Sequence, residues 1–297
     1  MTGWLDITGV GAPVTVQDAG RPGKMHHGVP PGGPLVPELL ALANLAVGNA
    51  SGAAALEAFG RLELRARGRS VRVSMDGHAF TLAEGERLTV PAPESTSVRY
   101  VAVDGGLAVP EVLGGRGTLL VARLGGHEGR LLRSGDSLPL GDANERAEAR
   151  APGASLDATA PIRVTLGPDN RRFEPATVAT LLSGAFTVSA ATDRVGMRLQ
   201  GPSLTHGDEG TGTSRPMVRG AIQVTLSGTP IVLGPDHPTT GGYPLIATVI
   251  RADWGRLCAR RPGAAVRFQE VSLEEAREAW RHHAEHFGIR GRSTPPP

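Results

Sequence analysis

The sequence predicts a mainly β chain of antiparallel sandwich or barrel type, with a few short helices and two domains. Three observations predict it. Short apolar runs recur between turn residues, with 41 Gly and 24 Pro in 297 residues, as in antiparallel strands joined by tight turns. The length suits two ordinary domains of roughly 100–200 residues each. Near the middle, GDANERAEARAPGASLDATAP, from Gly141 to Pro161, is polar, alanine-rich and without strand alternation, so it reads as a linker. We set the domains at 1–145 and 161–297, with the linker at 146–160.

The elements follow in chain order. Residues 37–47, PELLALANLAV, begin with proline at a tolerated first-turn position and stop at Gly48, a C-cap signal. VRVSM at 71–75 and SVRYVAV at 97–103 read as strands, as do IRVTL at 162–166 and IQVTL at 222–226. PATVATLLS at 175–183 repeats the Pro-to-Gly helix form ahead of Gly184. The last helix starts at Ser272, where SLEE forms a capping box with Glu275 and puts Leu273, Ala276, Trp280 and Phe287 on one face. That stripe is expected to dock.

The halves echo one another. DAGRPG at 18–23 has a counterpart in DRVGMR at 193–198, GVPPGG at 28–33 in LQGPSL at 199–204, and ALEAFGRLEL at 55–64 in AIQVTLSGTPIVL at 221–233. Duplication would give two barrels of one design, each with an Asp and an Arg near its first turn.

Composition narrows the partners. Lys+Arg 31 against Asp+Glu 29 leaves a net charge of +2, and Lys24 is the only lysine, so no basic face for nucleic acid is implied. Cys258 is the only cysteine, which rules out an internal disulfide framework and CxxC metal sites. The amino terminus lacks a basic region followed by an apolar stretch, and no run of 18 apolar residues occurs. A cytoplasmic protein without membrane association is expected.

The densest chemistry lies in PDHPTTGGYP at 235–244. Gly241 and Gly242 permit unusual backbone angles, and Pro238 and Pro244 fix theirs, so the segment is a loop. Thr239, Thr240 and Tyr243 carry hydroxyls through it, and Asp236 and His237 stand at its mouth. We nominate Asp236, His237 and Tyr243 as catalytic residues, and Thr239, Thr240, Gly241 and Gly242 as substrate-binding. The alternative is a strand-connecting turn whose hydroxyls bond local backbone. Arg21 and Arg194 join the substrate-binding set, since a guanidinium fork suits a carboxylate or phosphate; an internal Asp–Arg bridge holding each turn would serve equally.

Other chemistries lack their signatures. GDEGTGTSR at 207–215 and GVGAP at 9–13 have no GK[ST] ending and no following helix pattern, so both read as turns. His282 and His286 lie at i and i+4 without the glutamate of HExxH, which favours a solvated helix face; no metal site is expected. GxSxG is absent, and Ser214 lies outside a strand–turn–helix context. Lys24 and Met25 lack the AMKM setting of a biotin-acceptor lysine, so this chain carries no covalent cofactor, and His26 and His27 read as loop residues.

TVQDAGRPG at 15–23, HHGVPPGGPLVPELLALANLAVGN at 26–49, LEAFG at 56–60, TDRVGMRLQGP at 192–202, GAIQV at 220–224 and PTTGGYPLIATV at 238–249 resemble the biotin-dependent carboxyltransferase family. That family includes the C subunit of bacterial 5-oxoprolinase, the second subunit of allophanate hydrolase, KipA-type antagonists and a segment of urea carboxylase. The resemblance covers nearly the whole chain and implies two tandem cyclophilin-like β-barrels. It also implies a KipI-like B subunit, joined by an A subunit in 5-oxoprolinase, with ATP and Mg used by the assembled complex and the reaction site in a cleft between subunits. Opening of the 5-oxoproline lactam to glutamate is the implied reaction. The alternatives are a regulatory KipA-like protein that binds a KipI-like inhibitor, and a carboxyltransferase or amidohydrolase component acting on urea-derived substrates.

Departures stand beside the resemblance. Relatives often read PPSGALDP and DRQTTGGYPKIA, whereas Gly32, Pro34, Val36, His237 and Leu245 stand at the differing positions here. An arginine and a lysine able to hold an anion are thereby replaced. Either the substrate differs or a partner supplies the charge.

Overall fold

Leu62, Leu64 and Ala66 are buried while Glu63 and Arg65 between them are half-exposed, and this alternation fixes which face of a strand turns inward. The computed structural model describes residues 3–143, 156, 159–206 and 213–289. In chain order the first half lays down β1 (Trp4–Val10), β2 (Val14–Gln17), α1 (Pro37–Ala46), β3 (Ala55–Ala58), β4 (Leu62–Arg67), β5 (Val71–Met75), β6 (His78–Leu82), β7 (Arg87–Val90), β8 (Arg99–Val103) and β9 (Ser137–Pro139). They form a four-stranded sheet in the order β7-β4-β1-β9 and a five-stranded sheet in the order β2-β3-β8-β5-β6, all pairs antiparallel. GVGAP is the corner from β1 to β2, where the chain leaves one sheet for the other. Leu5, Ile7, Val16, Leu56, Leu64, Val73 and Val101 fill the space between the sheets.

The second half contains β10 (Ile162–Leu166), α2 (Pro175–Ser183), β11 (Phe186–Val188), β12 (Gly196–Gln200), β13 (Arg215–Pro216), β14 (Ala221–Val224), β15 (Pro230–Leu233), β16 (Thr240–Gly241), β17 (Leu245–Val249), α3 (Trp254–Cys258), β18 (Ala265–Val266), β19 (Phe268–Glu270) and α4 (Leu273–Phe287). Eight strands run in the order β18-β11-β12-β15-β14-β17-β10-β19. The two outer strands are consecutive in sequence, with only Arg267 between them, and Ile162 donates its N–H to the Arg267 carbonyl at 2.8 Å. The chain thus crosses from one sheet edge to the other, and the sheet is a nearly closed barrel that leaves little edge exposed.

The expected helices form where their signals stand. α1 carries Pro37 at its first turn, and Gly48 just beyond it has φ 79°. α4 has the reciprocal Ser272–Glu275 capping box and ends on left-handed Gly288. Its docking differs from the expected stripe: Leu273 is 63% exposed, and the helix is seated by buried Phe287, by His283 2.8 Å from Glu38, and by Trp280 under the Arg251 guanidinium. His282 and His286 face solvent. The linker at 146–160 lies outside the described residues except for Leu156, Thr159 and Ala160, and so does most of GDEGTGTSR.

The larger apolar cluster ignores the boundary between halves. Leu39, Leu40 and Leu42 of α1, with Tyr100 and Ala102 of β8, pack in one core with Val164, Phe186, Val232, Ile246 and Leu257. Each such side chain contributes about 1.5–3 kcal/mol on burial, so the second half depends on apolar surface from the first. Among the described residues no helix is long and apolar enough to cross a membrane.

Candidate active site

Strand register builds the centre of the site. On β3 and β8, Glu57 stands directly opposite Tyr100, and the Tyr100 hydroxyl donates to Glu57 Oε2 in a short bond. Leu35 N–H also donates to Oε2 at 2.9 Å, and Val36 N–H donates to the Tyr100 hydroxyl at 3.2 Å. Burial and the neighbouring Glu57 charge push the Tyr100 pKa well up, so the phenol remains a donor.

The second half supplies the counter-charge. Arg194 precedes β12 and Asp236 follows β15, and these strands pair antiparallel, so both residues emerge at the same end. Asp236 N–H donates to the Arg194 carbonyl at 3.0 Å, which locks the two loops together. The Arg194 guanidinium donates to Asp236 Oδ2 at 2.8 Å and Oδ1 at 3.0 Å, to Glu57 Oε1 at 2.6 Å, and to the Gly33 carbonyl at 2.7 Å. Burial works against its charge, but Glu57 and Asp236 outweigh that and raise its pKa above the ordinary value. Arg194 therefore joins both halves, and all three nitrogens of its fork are engaged.

Arg21 is equally enclosed, at 1% exposure. Its Nε donates to the Val112 carbonyl at 2.8 Å, and its Nη2 to the carbonyls of Gly117 at 2.6 Å and Gly115 at 3.3 Å. The remaining Nη1 lies 3.8 Å from where a Cβ at Gly32 would stand, with Asp236 Oδ1 3.9 Å from the same point. Gly32 has φ 61°, and its N–H donates to the Pro235 carbonyl at 3.0 Å, so the GVPPGG loop is tied directly to the PDHPTTGGYP loop. Neither expected Asp–Arg bridge forms. Asp18 instead accepts from the N–H groups of Gly20, Arg116 and Gly117, and Asp193 from those of Val195 and Gly196. The echo between the halves is thus one of loop-holding aspartates beside buried arginines.

His237 is fully enclosed, and its Nδ1 lies 2.7 Å from the Pro238 carbonyl. Donation from Nδ1 leaves Nε2 as a bare acceptor, and Nε2 is buried without a hydrogen-bond partner. Burial holds the ring's pKa below the ordinary histidine value. Beyond it the segment comes to the surface: Thr240 is exposed and Thr239, Gly241, Gly242 and Tyr243 are half-exposed. Thr240–Gly241 pair as β16 with β13, and Asp169 accepts from both Arg215 and Leu245 N–H to secure the far end. Neither Gly241 nor Gly242 adopts positive φ. Gly241 is approached closely instead: a Cβ there would meet the movable end of the Gln223 side chain, Nε2, at 2.8 Å. The hydroxyls of Thr239, Thr240 and Tyr243 make no side-chain hydrogen bond among the described residues, so the bonds that a merely local turn would use them for are not made.

Sequence reasoning missed Glu57, Tyr100 and Arg219. Glu57 stood in view within LEAFG, since an acid in an otherwise apolar strand needs a buried partner. Arg219 lies half-buried over the Trp254 ring and donates to the Gly32 carbonyl in a short bond. Burial and nearby Arg194 push its pKa down to about 10. A separate cavity of about 330 Å3 opens between the halves, lined by Phe59, Met197, Trp254 and Cys258 among others; none of the nominated residues lines it.

Two barrel-like β units joined through one buried Arg–Glu–Asp–Tyr cluster, with a hydroxyl-rich loop at its edge, define the class of protein. The chain belongs to the carboxyltransferase domain family, subdomain A and B, matching over residues 27–270. It is 36% identical to the C subunit of 5-oxoprolinase from Escherichia coli over 95% of this chain and 96% of that protein. Against the corresponding 5-oxoprolinase C subunit of Haemophilus influenzae it is 31% identical, over 92% and 93% of the two chains. The crystal structure of the K. lactis urea amidolyase superposes with a TM-score of 0.88 at 25% identity, covering 99% of this chain and 20% of that one.

Proposed function

We propose that this chain is the C subunit of an ATP-dependent 5-oxoprolinase, acting in the cytoplasm with A and B subunits, the latter KipI-like, to open the 5-oxoproline lactam to glutamate. The end-to-end correspondence with two proteins named as 5-oxoprolinase C subunits carries this reading. A lactam is a poor electrophile until its oxygen is activated, and ATP with its magnesium enters as a substrate of the assembled complex. The site must then hold a carboxylate, stabilise oxyanion charge and move protons.

This chain's contribution is positional and electrostatic. The unbonded hydroxyls of Thr239, Thr240 and Tyr243 are donors available to substrate oxygens. The bare Nε2 of His237 is a proton acceptor held in one tautomer by the Pro238 carbonyl. Asp236 acts through Arg194, and the pair positions the loop on which His237 sits. Arg194 spends its fork on Glu57, Asp236 and the Gly33 carbonyl, which leaves Arg21 Nη1 and Arg219 as the guanidinium groups with free donors near the loop mouth.

The test is reconstitution. The purified chain alone should release no glutamate from 5-oxoproline and ATP, and mixing with cognate A and B subunits should restore release. Full turnover by this chain alone would sink the shared site, and no turnover in the mixture would favour the regulatory reading. Inhibition by avidin would point to carboxyl transfer through a biotinylated partner instead.

A further inference from the structure

The geometry points to a docking face for a separate protein chain, built from three short fingers between Val112 and Arg130 and fitted to an acidic, apolar patch on that partner. Isolated bridges Val112–Gly115, Leu119–Leu124 and His127–Arg130 fold this segment into three successive tight reversals. Their tips fall at Leu113, at the turn Leu120–Ala122, and at Glu128. Three of the four non-glycine residues with positive φ in the described chain lie here: Leu113 at 55°, Arg123 at 50° and Glu128 at 55°. A Cβ makes that conformation unfavourable, so the turns hold a geometry that local preference opposes.

The tips stay largely uncovered. Val121 is 78% exposed and Leu113 47%, with Leu120 and Leu131 exposed beside them. Apolar side chains raised on strained turns mark a surface that another molecule covers.

The base beneath them is stiff. Arg21 ties down the carbonyls of Val112, Gly115 and Gly117, and Asp18 receives the N–H groups of Arg116 and Gly117. Thr118 N–H donates to the Val16 carbonyl at 2.8 Å, and Arg130 with His127 grips Asp136. Two groups buried at the edge of the active site, Arg21 and Asp18, thus present the fingers in a fixed attitude.

Charge selects the occupant. Arg123 is exposed and makes no ion pair among the described residues, and Arg133 has only a 3.8 Å contact with an Asp136 already claimed by Arg130. Glu128 is held by Arg130. Glu111, exposed beside the first finger, also makes no ion pair among the described residues, so the unpaired charge around the apolar tips is Arg123 and Arg133 against Glu111, an excess of positive charge. A second copy would bring the same excess of positive charge to this face, so the surface favours a different chain with carboxylates around an apolar patch. Arg21 Nη1 also faces the space above Gly32 beside Asp236. A chain seated on the fingers therefore borders the proposed site.

This inference rests on the 5-oxoprolinase reading, and the partner to use is the 5-oxoprolinase B subunit encoded in the same genome. Hydrogen–deuterium exchange of this chain with and without it should show protection of the backbone amides at 112–124. Val121→Asp and Arg123→Glu should each weaken association about tenfold or more, with the melting temperature unchanged because both side chains are exposed. Leu113→Gly should weaken association while relieving the turn. Docking at the fingers without glutamate release would support this face and sink the reaction. Protection confined to other segments, wild-type affinity in all three variants, failure of the two chains to associate, or a Val121-dependent homodimer would each overturn the docking face, as would Val121-dependent binding to anionic vesicles in place of the B subunit.

Discussion

Arg194 of the second half lies 2.6 Å from Glu57 of the first, and both side chains are buried. One guanidinium also satisfies Asp236, so its removal strands two carboxylates where water cannot reach them. Arg194→Met should cost about 3–5 kcal/mol in urea denaturation. Arg194→Lys should recover little, because an ammonium cannot bond Glu57, Asp236 and the Gly33 carbonyl with one planar fork. Wild-type stability in Arg194→Met would show that the pair is dispensable for folding.

Thr240→Val and Tyr243→Phe remove hydroxyls that bond to no described residue, so the denaturation midpoint should shift by no more than about 0.5 kcal/mol. Turnover of the reconstituted complex should fall about tenfold or more, roughly 1.4 kcal/mol of transition-state stabilisation. A lowered midpoint with intact turnover would assign the hydroxyls to the turn alone.

His237 should make stability fall on acidification. Its pKa is depressed in the folded chain by burial, so the unfolded chain binds the proton first. Stability is unaffected well above the ordinary histidine pKa of about 6.5, and declines as pH drops through that value toward the lower folded pKa. His237→Asn preserves a donor for the Pro238 carbonyl but does not titrate. Its melting temperature should decline less between about pH 7 and pH 5 than that of the wild type; parallel curves would refute the assignment.

Gly255 packs its Cα against the Glu38 carboxylate, and a built Cβ would overlap Glu38 Oε2. Gly255→Ala should cost about 1–3 kcal/mol through overpacking and loosen α4, because His283 of that helix lies 2.8 Å from the same carboxylate. Faster exchange of the α4 amides would report the loosening, and unchanged exchange would place the strain elsewhere.

The β character, the three principal helices and the family were legible because each is written locally. VRVSM alternates, Pro37 and Gly48 punctuate α1, and Ser272 with Glu275 caps α4. The roles of Arg21 and Arg194 were not legible. An arginine in a glycine-rich loop reads the same whether it faces a ligand or three carbonyls 90 or more residues away, as Arg21 does. Glu57 escaped notice because its partners, Tyr100 and Arg194, are brought to it by register and by the meeting of the halves. Gly241 was read for its dihedral freedom, yet its φ is not positive, and the nearness of the Gln223 side chain is a property of packing.

The shared core places α1 in an awkward position during synthesis. A ribosome releases its leucines about 200 residues before β17 and α3, their neighbours in the same cluster, are complete. At about 5–20 residues per second that interval is roughly 10–40 s. For all of it Leu39, Leu40 and Leu42 lack most of their final surroundings, and a nascent first half must be kept from aggregating by whatever shields it. The helix that unites the finished molecule is thus also the stretch through which a stalled or truncated translation product would stick to its neighbours.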